Sequence, residues 1–116
     1  FNQNSSEIHY YLGLSYLQKE LYNDAITELK KSISINPQDP DVQSCLLLAF
    51  LHIGNSEEYL KELKNALKSD AINNPTIRQL AEATFSSDEH VDEGIILFRD
   101  LITKNPNNKY YYSVLA

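Results

Sequence analysis

The 116-residue chain has no tryptophan and no methionine, not even at position 1, and only one cysteine, three glycines and four prolines. Each shortage excludes something. A single cysteine cannot close an internal disulfide, and Cys45, set in the apolar run from Cys45 to Leu51, reads as a small buried hydrophobe. Three isolated glycines cannot build a phosphate-cradling loop. Basic residues are scarce, ten against sixteen acids for a formal charge of −6, and eight of the ten are scattered lysines, so no phosphate-tracking surface forms and nucleic acid is not an expected partner. No apolar run approaches the roughly 20 residues that span a bilayer, and no charged-then-apolar leader opens the chain. The missing first methionine reads as the mark of a piece of a longer protein.

Against these absences stand 42% apolar and 22% charged residues, the balance of a chain that folds around a core. Its length suits one domain. From Ser6 to about Lys19, Ile8, Leu12 and Tyr16 form one stripe and Tyr11, Leu14 and Leu17 another, at the three- and four-residue steps of a helix with two buried faces. Ser5 or Ser6 is placed to cap it. Glu20 to Tyr22 turns the chain, and a second helix is expected from Asn23 to Ile35, stopped by Asn36-Pro37.

Within this hairpin, His9-x-x-Leu12-Gly13-x-x-Tyr16, then Ala25-x-x-x-Leu29, then Pro37 have the spacing of the pattern W-x-x-L-G-x-x-Y, A-x-x-x-F, P. The chain resembles the tetratricopeptide repeat family. The resemblance places Ala25 opposite Gly13, where two small residues let the helices approach closely. It carries on at a period of 34 residues. Asp39-Pro40 opens a second unit with Leu46, Leu47, Phe50, Tyr59 and Leu63 at the landmarks, Ser56 capping its second helix, which is expected to reach Asp70. Asn74-Pro75 opens a third with Leu80, Ala81 and Thr84, then Gly94 and Phe98 once one extra residue is allowed near Asp88-Glu89. Large Leu47 and Tyr59 should spread or tilt the second crossing, and small Ala81 against Gly94 should close the third.

The resulting expectation is an all-α, right-handed solenoid of helix-turn-helix repeats with about seven helices. A flexible segment (1–5) precedes a single repeat domain (6–116), made of units 6–39, 40–73 and 74–108 plus an additional helix at 109–116. The resemblance implies a concave groove lined by the first helix of each unit. Its partner-binding residues would be Tyr10, Leu14 and Leu17 from the first, Leu48, Leu51 and His52 from the second, and Arg78, Glu82 and Phe85 from the third, with Tyr110 and Ser113 following if the last helix stacks in register. Any one of these leucines could equally be core between adjacent units.

The expected occupant is a protein or peptide, an apolar or amphipathic segment. Family members that hold acidic chaperone tails use a clamp of Lys, Asn and Arg. The matching places here carry Tyr10, Leu14, Cys45, Pro75 and Gln79, so such tails are disfavoured for want of charge-assisted bonds. His9, His52 and His90 do not converge as metal ligands, and the acid pairs Glu57-Glu58 and Asp88-Glu89 sit where they complement helix dipoles. No metal, cofactor or catalytic residue is expected. Two other readings remain: a structural slice of a longer array, self-associating through the tyrosine-rich terminal helix, and the substrate-docking region of a larger enzyme.

Overall fold

Short polar side chains set four of the helix starts in the computed structural model, which describes residues 5–37, 39–109 and 111. Ser5 accepts a hydrogen bond from the Glu7 amide at 3.2 Å and opens α1 (Ser6–Gln18). Asp39 accepts from the Asp41 amide at 3.0 Å and, with Pro40 at the first helical position, opens α3 (Pro40–Ile53). Asn74 accepts from Thr76 and Ile77 at the head of α5 (Pro75–Phe85), again with proline first. The start of α4 (Ser56–Leu67) differs from the expectation by one residue, because Asn55 rather than Ser56 accepts from the Glu58 amide. Gly54, left-handed at φ 74°, ends α3 and turns Asn55 into the capping position.

The helices α2 (Tyr22–Ile35) and α6 (Val91–Lys104) begin without a side-chain cap and end at Asn36 and Asn105 before proline. The turn into α2 puts Glu20 at φ 61°, a left-handed conformation unusual for a residue with a β-carbon. The sequence expectation for α4 ran to Asp70, but the helix stops at Leu67. Ser69 donates to the Ala66 carbonyl and accepts from the Ala71 amide, bending the chain into a 3-10 turn over Asp70–Asn73 that buries Ala71 and Ile72. The described residues thus hold six α-helices and no strand; Lys109 and Tyr111 are also helical, and the rest of the expected seventh helix lies outside them.

The chain divides into two compact units, Phe1–Ala71 and Ile72–Ala116. In the first, α1 packs on α2, α2 on α3 and α3 on α4, with α3 also touching α1. This is the consecutive packing of helical repeats. Its core is Ala25, Leu29, Val42, Leu46, Leu47, Phe50, Leu63 and Leu67, all buried. Ser32 is buried among them with its hydroxyl satisfied by the Ser6 carbonyl at 2.8 Å. In the second, α5 packs on α6 around Ile77, Ala81, Phe85 and Phe98, and Tyr111 lies against Phe98 with ring centroids 6.2 Å apart.

Close approaches occur at both glycines. A β-carbon on Gly13 would lie 2.7 Å from the Leu29 side chain and 3.5 Å from the Ala25 carbonyl, so Ala25 faces Gly13 as expected and Leu29 also fills the notch. A β-carbon on Gly94 would meet Phe85 first. In each case the glycine makes room for a large side chain. Leu12, expected to be packed, is 41% exposed.

Candidate functional site: the α1 and α3 face

Tyr10 and Cys45 mark where α1 meets α3. The Tyr10 hydroxyl has its pKa pushed up to about 12 by burial first and then by Cys45, Asp41 and Asp39. Burial also raises the Cys45 thiol, with Asp41 and Asp39 adding to it, although Ser44 and Tyr10 pull the other way. Both shifts favour the neutral forms of the phenol and the thiol.

From this seam, helical spacing lays out two tracks. Leu14 and Leu17, four and seven residues past Tyr10, share its face of α1 and are half-buried. Leu48 and His52, three and seven residues past Cys45, share its face of α3. Leu48 is 38% exposed, and neighbouring Leu51 is 48% exposed. Large apolar side chains thus reach solvent beside the line where the two helices touch.

The remaining expected residues divide sharply. His52, though exposed, stacks its ring on Tyr22 of α2 at 4.7 Å and 6°. Arg78 donates through Nη1 to the Asn73 and Ile72 carbonyls at 2.7 and 3.3 Å, bracing the 3-10 turn ahead of α5, while Glu82 is exposed on the same helix. Phe85 is a correction: it is only 5% exposed, packed edge-on against Phe98 and over Gly94, so it is core and offers no surface to a partner. The sequence pattern placed it on the groove because it could not see that Gly94 opens a slot for it. Tyr110 and Ser113 lie outside the described residues.

Three interactions were not legible from helical spacing: the electrostatic influence of Tyr10 and Cys45 on each other, the Tyr22–His52 stack, and Lys30 of α2 held 5.7 Å over the Phe50 ring of α3. All join different helices, and one helix's periodicity carries no information about its neighbour's register. Among the described residues no group of three or more His, Cys, Asp or Glu is placed to hold a metal ion, and no helix is long and apolar enough to cross a membrane.

Residues 6–39, the α1–α2 hairpin with its closing turn, match the family model of the tetratricopeptide repeat. With the all-helical architecture of the described residues and the consecutive packing in the first unit, that match supports a tetratricopeptide repeat protein. Such repeats are generally protein-interaction modules, and protein partners are the general expectation for one. No curated protein matches the chain.

Proposed function

We propose that the α1 and α3 face binds an apolar or amphipathic segment of a partner protein, with the chain acting as a non-catalytic interaction module. The observation that carries this is the exposure of Leu48 and Leu51 beside the Tyr10–Cys45 seam. Leucines left 38% and 48% open next to half-buried Leu14 and Leu17 gain free energy when a partner covers them, at about 25 cal/mol per Å² of apolar surface. Tyr10 supplies a neutral hydroxyl, and exposed Asp41 and Glu7 lie at the ends where α1 and α3 begin. With no cation at Tyr10, Leu14 or Cys45, an acidic tail finds no charged clamp there.

Selection of a displayed random-peptide library against the chain tests the reading. Recovered peptides should share apolar residues at regular spacing, and calorimetry should show their binding lost in Leu48→Glu and Leu51→Glu, with circular dichroism unchanged. Binding that survives both substitutions refutes the groove.

A further inference from the structure

Glu7, Leu14 and Leu17 recur 34 residues later as Asp41, Leu48 and Leu51. In each helix the acid stands seven residues before one leucine and ten before the next, so Glu7 shares a stripe of α1 with Tyr10 and Leu14, and Asp41 a stripe of α3 with Cys45 and Leu48. Both acids are exposed. The third unit breaks the pattern, with Pro75, Glu82 and Phe85 at the same places. Neither α1 nor α3 contains a lysine or an arginine, and the two helices touch. Their common face therefore has an apolar body and an acidic head.

Helix dipoles do not absorb this charge. A helix N-terminus carries about half a positive charge, so the starts of α1 and α3 offset about one of the three negative charges on Glu7, Asp39 and Asp41. The remaining field reaches the face itself, since the charges of Asp41 and Asp39 both act against ionisation of Tyr10 and of Cys45. At the opposite end of α1 the charges cancel, because exposed Lys19 is followed by exposed Glu20. The face is thus polarised along its length, with the negative charge at one end only.

We infer, building on the groove proposed above, that the segment it selects carries a lysine or arginine at one end, set against Glu7 and Asp41, while its apolar side chains cover Leu48 and Leu51. The register follows from the helix. From Asp41 the rise along α3 to Leu48 and Leu51 is about 10 and about 15 Å. An extended occupant covers that distance in about three to five residues and a helical one in about seven to ten, so the separation of the basic residue from the apolar pair also reports the occupant's conformation.

The displayed peptides that bind the chain and lose binding in Leu48→Glu decide it. They should carry a basic residue at one of these two separations, and resynthesis with that residue moved to the opposite end should weaken binding about tenfold, the combined effect of losing both acids as partners. Glu7→Gln and Asp41→Asn remove a charge and little volume. Each should weaken binding about two- to fivefold at low salt, as for an exposed ion pair, and the loss should vanish near about 0.5 M salt. Glu57→Gln removes the same charge from the start of α4 and should leave the affinity unchanged, which separates the acidic head from the chain's overall negative charge. Circular dichroism identical to that of the parent chain excludes misfolding. Peptides that require Leu48 but carry no basic residue at either separation, or that bind the Glu7 and Asp41 variants as tightly as the parent chain, overturn the inference and leave the groove standing. Peptides indifferent to Leu48→Glu overturn both.

Discussion

Phe85 occupies the space where a side chain at Gly94 would have to be: a β-carbon built on Gly94 would stand 2.6 Å from Phe85 Cβ. Alanine normally gains about 1 kcal/mol over glycine inside a helix. Here that gain is outweighed, because a β-carbon moves only with its backbone and α5 would have to shift. Gly94→Ala should lower stability by about 1–3 kcal/mol in urea titration. Gly13→Ala should cost less, since its obstacle is the Leu29 side chain, which can turn, whereas Phe85 Cβ cannot. Equal or greater loss at Gly13 would show that buried Leu29 has no room to move.

Glu28 and Glu62 hold the same repeat position and respond oppositely to folding. Burial works against the Glu28 carboxylate, but the bonds from Lys31 at 3.1 Å and His9 at 3.4 Å prevail and hold its pKa below the usual value. Glu62 has Gln43 and Asn65 at the matching places, and burial followed by the charge of Glu58 raises its pKa, with Lys30 and Lys61 opposing. A lowered carboxyl contributes stability above the ordinary glutamate value of about 4.3, and that contribution disappears as pH falls through the folded value. A raised carboxyl contributes below the ordinary value and loses its contribution as pH rises through the folded one. Glu28→Gln should therefore destabilise the chain at pH 7, by about 1 kcal/mol, with the difference shrinking toward pH 3. Glu62→Gln should stabilise it at pH 7 and change little at pH 3. Thermal unfolding of both variants at the two pH values measures this.

Gln43 is 7% exposed, and its Oε1 is buried without a hydrogen-bond partner. Its counterpart in the first repeat is His9, which has Glu28; its counterpart in the third is Ile77, which is fully buried and apolar. The slot thus accepts either a paired polar group or a hydrocarbon. Gln43→Leu should raise stability by about 1–3 kcal/mol, the desolvation cost of the orphaned oxygen. A loss on urea titration would mean that leucine does not fit the slot as Ile77 fits its own.

Phe85 and Leu48 were read from sequence as equivalent groove residues, and truncation separates them. Phe85→Ala removes a ring packed between Phe98 and Gly94 and should cost about 3–5 kcal/mol. Leu48→Ala, at a side chain already 38% open to solvent, should cost about 1 kcal/mol or less. Comparable losses at the two positions would place Leu48 in the core and remove it from the binding face.

What the sequence determined by itself is local. The Asp39-Pro40 and Asn74-Pro75 starts, the Asn36-Pro37 and Asn105-Pro106 stops, and the 34-residue recurrence of apolar landmarks give the helices and their repeat, because capping, proline geometry and helical spacing act within a few residues of chain. Its errors were equally local: Asn55 displaced Ser56 as a cap once Gly54 turned left-handed, and Ser69 broke α4 early by bonding its own neighbours. The tertiary structure decided what touches what. Gly13 receives Leu29 and Gly94 receives Phe85, Tyr10 comes under the influence of Cys45, Leu46 is buried while Leu12 is bare, and Glu28 and Glu62 part company. Each outcome depends on the residue that a second helix brings to within a few ångströms, and the spacing along one helix is silent about that register.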